Sequence, residues 1–295
     1  MNKWVSAARL RTLPLSISGI IMGTWLAYHQ NAFSLLLLFL ALLTTVLLQV
    51  LSNFANDYGD GVKGTDSHRT GEKRAVASGE ISAQKMKSAV KLFAGLAITS
   101  AVVLLAVAYL PTHPITFAIY IALGVLSVWA AINYTVGKKA YGYRRLGDLF
   151  VFLFFGWVAV IGSAMLYTKQ FDPLHLLPAS AIGLLATAVL NLNNMRDIPQ
   201  DRRGNKMTIA VTLGLFYSKF YHFILVFLPF ILTAIYSYKS YGWQLEKFAY
   251  LILLIPAIII YTRIANIREY AELDAELKIQ ALFTLAFAII TGYFL

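Results

Sequence analysis

Long apolar runs separated by short basic stretches dominate this sequence. A helix needs about 20 mostly apolar residues to cross a bilayer core about 30 Å thick. Nine runs meet that requirement, at roughly 12–28, 33–55, 88–110, 114–135, 148–167, 175–194, 217–238, 248–266 and 279–295. The eighth is short and interrupted by Pro256, with Lys247 and Arg263 placed to snorkel at its two ends. Lys3, Arg9 and Arg11 ahead of the first run mimic a signal peptide. Eight later spans and no A-x-A-like site favour an uncleaved first helix. The predicted fold is an all-α polytopic membrane protein with nine transmembrane helices.

Composition agrees. Of the 295 residues, 59% are hydrophobic and 13% charged, against about 25% charged in a soluble domain. The mean hydropathy is +0.66, and a soluble enzyme is excluded. Lys and Arg (25) exceed Asp and Glu (14), for a net charge of +11. That excess sits between apolar runs and not on one soluble basic face, so a nucleic-acid binder is excluded too. The connections after runs 2, 4, 6 and 8 hold most of it, including Lys63, Arg69, Lys73 and Arg74, then Lys138, Lys139, Arg144 and Arg145, then Arg196, Arg202, Arg203 and Lys206. The opposite connections hold only Lys169, Lys239 and Lys247. The positive-inside rule then puts the N-terminus and long loops in the cytoplasm and the C-terminus outside. No cysteine is present, which removes disulfides, thiolate metal sites and a Cys nucleophile.

Two acidic motifs carry the candidate chemistry. The first, at the end of run 2, reads Asn53-x-x-Asn56-Asp57-x-x-Asp60, with Asp66 further on. Residues three apart share a helical face, so Asp57 and Asp60 point the same way. The second, at the end of run 6, reads Asn193-x-x-x-Asp197-x-x-x-Asp201, with spacings of four that predict one polar stripe. The motifs lie four runs apart, which suggests duplicated four-helix units with a ninth helix appended, all in one domain over 1–295. Paired carboxylates suit Mg²⁺, which bridges one or two carboxylates to substrate phosphates. Lys and Arg of the same loops suit the remaining phosphate oxygens. The pattern points to a diphosphate bound with Mg²⁺.

Other readings are weaker. Solvated loop charges would explain one acidic pair, but not two at equivalent helix ends, each with an Asn one turn earlier. An ion or proton transporter would place its acids near mid-span and would favour inverted repeats, whereas these acids end their spans and the motifs are an even number of helices apart. The Asp-Gly-x-x-Ala-Arg pattern of CDP-alcohol phosphotransferases is missing. Asp148 is read as a helix-dipole partner. Glu269, Glu272, Asp274 and Glu276 are read as the solvated face of a short surface helix, without chemistry.

Asn-Asp-x-x-Asp followed four helices later by Asp-x-x-x-Asp resembles the UbiA superfamily of intramembrane prenyltransferases, over nearly the whole chain. Three stretches are most similar to its 1,4-dihydroxy-2-naphthoate polyprenyltransferase branch: Ala8-Arg9-Leu10-Arg11-Thr12-Leu13-Pro14, Asp60 to Asp66 with Gly64-Thr65, and Tyr141-Gly142-Tyr143-Arg144 leading to Gly147-Asp148. The exit of run 4 departs from the branch, with Val136-Gly137-Lys138 where its members commonly show Gly-Gly-Pro.

The resemblance implies transfer of a polyprenyl group from its diphosphate to the naphthoate, with loss of diphosphate and CO₂, in menaquinone biosynthesis. It implies a bacterial inner-membrane location. A related acceptor such as 4-hydroxybenzoate is the alternative. Asp57, Asp60, Asp197 and Asp201 are then the Mg²⁺ ligands, with Asn53, Asn56 and Asn193 orienting them or contacting diphosphate. Arg74, Lys138 and Lys206 are candidate diphosphate contacts, and Asp66 is a candidate base or acceptor-positioning group. Arg9 and Arg11 are candidates for the acceptor carboxylate or, equally, topology signals. Tyr134, Tyr141 and Arg144 complete the substrate contacts. Aromatic faces such as Phe54, Tyr58, Tyr134, Tyr141 and Phe150 can stabilise an allylic cation. The plain reading for most of them is packing or an interfacial belt.

Overall fold

A computed structural model describes residues 2–63, 74–110, 112–133 and 145–295. Inside a bilayer every backbone polar group must find its partner within the protein, which limits spanning segments to helices or closed barrels. Among the described residues all regular elements are helical. They comprise α1 (Lys3–Ala8), α2 (Leu13–His29), α3 (Leu35–Lys63), α4 (Ala83–Tyr109), α5 (Pro114–Asn133), α6 (Gly147–Val151), α7 (Gly162–Thr168), α8 (Leu176–Arg196), α9 (Ile198–Arg203), α10 (Ile209–Tyr241), α11 (Leu254–Asn266) and α12 (Leu273–Phe294). A π-helical segment, Phe152–Ile161, joins α6 to α7. Nine stretches among the described residues are long and apolar enough to cross a membrane. This is a multi-pass membrane protein.

Several spans begin earlier than the apolar runs predict. Ser82 caps α4, its side chain accepting from the Lys85 N–H, so the helix extends through a polar turn before the apolar part. The seventh span starts at Ile209 and bends at Gly214, whose φ of 72° is open to glycine and strained for other residues. The last begins with the 3₁₀ turn Tyr270–Glu272 and continues directly into α12. Asp274 and Glu276 therefore belong to the spanning helix itself. Pro256 is the third residue of α11, just past the 3₁₀ segment Leu245–Leu253 that leads into it.

By contact the chain forms two compact units. The first takes Met1–Leu13, Leu35–Gly147 and Pro199–Thr208; the second takes Pro14–Ser34, Asp148–Ile198 and Ile209–Leu295. This division does not follow the expected pair of four-helix repeats, because α2 groups with the later helices.

In the first unit Leu51, Phe54, Ala55, Ile81 and Met86 form the core beside α1. Phe54 meets Trp4 and Phe93 edge-on, at centroid distances of 5.7 and 5.1 Å. Arg9 ends α1 in the left-handed region, with φ 49°. The second unit is built on unusually close backbone approach. A Cβ on Gly23 would lie 2.3 Å from the Val160 carbonyl oxygen, and one on Gly183 would lie 2.7 Å from that of Phe152. Small residues permit such contacts between membrane helices, where packing substitutes for the hydrophobic drive.

Candidate active site

The first acidic motif forms the last turns of α3. Asp57 and Asp60 are almost fully buried, at 1% and 6% exposure. Both sit at a helix C-terminus, where the macrodipole disfavours negative charge, so compensation has to come from elsewhere. Part of it comes from the returning chain: Asp57 Oδ2 accepts from the Ala75 N–H at 3.0 Å and Oδ1 from the Val76 N–H at 3.1 Å. Burial opposes the Asp57 charge most strongly, Arg9 favours it and Asp60 opposes it. Arg74, at the head of the returning segment, is buried as well. Gly61 allows that segment close to α3, since a Cβ there would stand 2.6 Å from a Val76 methyl.

Asn53 also links α3 to the N-terminal turn. Its Nδ2 donates to the Ala8 carbonyl at 2.8 Å and to Thr12 Oγ1 at 3.2 Å. Gln49 Nε2 reaches the same Thr12 Oγ1 at 3.0 Å. The asparagine amide thus ties the basic N-terminal turn, with Arg9 and Arg11, to the acidic helix. Asn56 and Arg11 are half-buried.

The second motif is not one continuous helical stripe. Helix α8 ends at Arg196, and Asp197 adopts φ −90°, ψ 4° before α9 begins. The reason is Pro199, which offers no N–H to continue the ladder. The Asp197 N–H still bonds the Asn193 carbonyl at 3.1 Å, so those two residues keep their helical relation. Asp201 lies on α9, is 7% exposed, and has Lys206 Nζ 3.5 Å from its Oδ1. Arg202 and Arg203 are exposed, as surface charges should be.

Arg196 escaped the sequence reading as anything beyond a loop charge. It is 3% exposed and holds Asp197 through a two-point fork, Nε to Oδ1 at 2.7 Å and Nη2 to Oδ2 at 2.9 Å. Nη2 also donates to Asn193 Oδ1 at 2.8 Å, and Nη1 bonds Asp274 on α12. Asp274 is therefore no bare solvated acid. Nor is Glu276, which is buried and paired with Arg263 at 2.7 Å. Glu269 and Glu272 are exposed as expected. Asp148 opens α6 as predicted, but it is buried and accepts from the Tyr221 hydroxyl at 3.3 Å.

The first compact unit takes in residues 199–208 along with α3. It thereby groups Asp201 and Lys206 with Asp57, Asp60, Arg9 and Arg74. Asn193 and Asp197 belong to the second unit. Asp66, Tyr134, Lys138, Tyr141 and Arg144 lie outside the described residues.

These donors fit a hard divalent cation. They are oxygen ligands and buried, and Asp57 and Asp60 stand at a helix C-terminus, where the dipole favours a cation. A carboxylate has about four acceptor positions, so one N–H on each Asp57 oxygen does not exhaust it. Among the described residues no three His, Asp or Glu side chains converge into a closed cage. Mg²⁺ does not require one, because substrate phosphates and water normally complete its shell.

Residues 16–288 match the model of the UbiA prenyltransferase family. The chain belongs to that family. Similar UbiA proteins include the 1,4-dihydroxy-2-naphthoate octaprenyltransferase of Escherichia coli strain K12, 45% identical over 81% of this chain and 79% of that protein. The enzyme of the same name from Haemophilus influenzae is 46% identical over 77% of this chain and 74% of its own. The UbiA fold is also that of the Archaeoglobus fulgidus UbiA homolog bound to GPP and Mg²⁺. That structure matches with a TM-score of 0.67 over 98% of this chain and 99% of that one, at 15% identity. An apo homolog from Aeropyrum pernix K1 matches with a TM-score of 0.68 over 96% and 98%, at 18% identity.

Proposed function

We propose that this chain transfers a polyprenyl group from polyprenyl diphosphate to 1,4-dihydroxy-2-naphthoate, releasing diphosphate and CO₂, in menaquinone biosynthesis. The likeness to relatives of that name supports the acceptor. The observation that carries the chemistry is the grouping of buried Asp57, Asp60 and Asp201 with Arg9, Arg74 and Lys206 in one compact unit. Asp57, Asp60, Asp197 and Asp201 hold Mg²⁺ in this reading. The long loops and N-terminus face the cytoplasm of a bacterial cell, as the basic residues favour.

In the reaction the allylic C–O bond breaks and its electron pair leaves with the diphosphate. The prenyl carbon bonds to the ring carbon that carried the carboxylate, and the electron pair freed with CO₂ restores the aromatic ring. Bound Mg²⁺ supplies charge neutralisation for the leaving diphosphate. Arg74 and Lys206 add fixed positive charge for its outer oxygens, pre-set before charge develops. Asn193 and Asn56 orient the carboxylates. Arg9 and Arg11 receive the acceptor's carboxylate, and Asn53 fixes their turn. Lys138, Tyr134, Tyr141, Arg144 and Asp66 complete the proposed substrate contacts. Water must be excluded from the allylic cation, which suits a site at the end of spanning helices.

The test offers purified protein a polyprenyl diphosphate and Mg²⁺ with 1,4-dihydroxy-2-naphthoate and 4-hydroxybenzoate in parallel. Product from the naphthoate alone is expected. Product from the benzoate would keep the chemistry and overturn the acceptor.

A further inference from the structure

We infer that Arg196 is a positioning residue of the second acidic motif, holding the Asp197 carboxylate in ligand geometry with Asn193 beside it and anchoring both to Asp274 on α12. This rests on the reading of Asn193 and Asp197 as part of the Mg²⁺–diphosphate site.

The helix breaks at this motif. Pro199 ends α8, so the peptide ladder that would fix the Asp197 side chain stops beside it, and Asp197 itself has left helical geometry. A carboxylate at such a junction needs another constraint if it is to meet a metal in one orientation. The guanidinium provides it. Its rigid planar fork takes both Asp197 oxygens, while the shared Nη2 also takes Asn193 Oδ1 one turn earlier. A candidate ligand and the asparagine beside it are thus registered against one planar group.

That group is fixed in turn. Arg196 is 3% exposed, and its remaining arm bonds Asp274, whose side chain is 36% exposed. Asp274 sits in the first turn of α12, where a carboxylate is favoured by the helix dipole. The charges also balance sensibly: one buried cation lies between two carboxylates, so the motif retains net negative charge for a metal. A group that merely neutralised Asp197 would need no second acid 78 residues away. Hydrogen-bonded partners behind metal ligands act in this way, orienting the ligand without touching the ion.

The test is calorimetric titration of Mg²⁺ into detergent-purified protein with geranyl diphosphate as probe, alongside a thermal melt of each variant. Arg196→Lys keeps the charge and loses the fork; Arg196→Gln loses both. Positioning requires that both variants weaken Mg²⁺-dependent binding, by about tenfold or more, and raise half-saturating Mg²⁺ for turnover more than they lower kcat at saturation. A purely electrostatic role would instead spare the lysine variant, and that result overturns the proposal. So does unchanged Mg²⁺ binding in variants that only melt earlier, which would mark the fork as structural. Should both Arg196 variants fail to fold, Asp274→Asn decides. It alters a partly exposed side chain, and a smaller weakening in the same direction is expected, while unaltered binding overturns the proposal. Wild-type protein that binds the probe without any Mg²⁺ dependence would overturn the ligand reading itself, and this inference with it.

Discussion

The Asp57 carboxylate accepts from the Ala75 N–H at 3.0 Å, across 18 residues of chain. One acid therefore serves as a candidate metal ligand and as the anchor of the segment that returns over α3. An asparagine keeps the shape but brings an NH₂ to one of the two backbone donors. Asp57→Asn should lower stability by about 1–3 kcal/mol, because a buried N–H is left without an acceptor. Thermal unfolding in detergent reads this separately from activity, and an unchanged melting point would show that the anchor is dispensable.

Gly23 should be unforgiving where Gly95 is not. In Gly23→Ala the new Cβ meets the Val160 carbonyl at 2.3 Å, and overpacking of this kind costs about 1–3 kcal/mol. Gly95 lies within α4 with nothing within 4 Å of an added Cβ. There Gly95→Ala should stabilise by about 0.5–1 kcal/mol through helix propensity. Melting points moving in opposite directions are the expected result.

Arg263 and Glu276 offer a test of ion pairing near the α12 start. Glu276 is buried while Arg263 is half exposed, at 54%. Arg263→Ala leaves the carboxylate buried without its cation and should cost about 1–3 kcal/mol. Adding Glu276→Gln should recover part of that loss. Independent, additive effects in the double variant would argue against coupling.

Topology can be read with single cysteines, since the chain has none of its own. Arg203→Cys and Trp243→Cys both place the thiol at exposed positions. With the basic loops inside, a membrane-impermeant maleimide added to intact cells should label position 243 and spare 203. The reverse pattern would invert the proposed orientation.

The nine spans were legible because about 20 apolar residues in a row leave little other choice. Their starts were not, since α4, α10 and α12 begin with polar or kinked turns whose helicity depends on Ser82, Gly214 and the Tyr270 turn. The acidic motifs were legible as residues and spacing. What the spacing could not reveal was the break at Asp197, although Pro199 was the available signal. Arg196 stood at i+3 from Asn193 and adjacent to Asp197, so its local contacts were readable in principle. Asp274 and Glu276 were misread because their partners lie on α8 and α11, and a charged helix face looks solvated until such partners are known. The grouping of α2 with later helices likewise depends on Gly19, Gly23 and the π segment meeting in space.

Turnover of the folded Asp57→Asn and Asp201→Asn proteins decides whether these acids hold the metal. Each would be supplied with polyprenyl diphosphate, 1,4-dihydroxy-2-naphthoate and saturating Mg²⁺, with EDTA-treated wild type as reference. Loss of one metal-holding carboxylate should lower kcat by about 100-fold or more, towards the EDTA level. Wild-type turnover in either variant would contradict the assignment of these acids to the metal–diphosphate site.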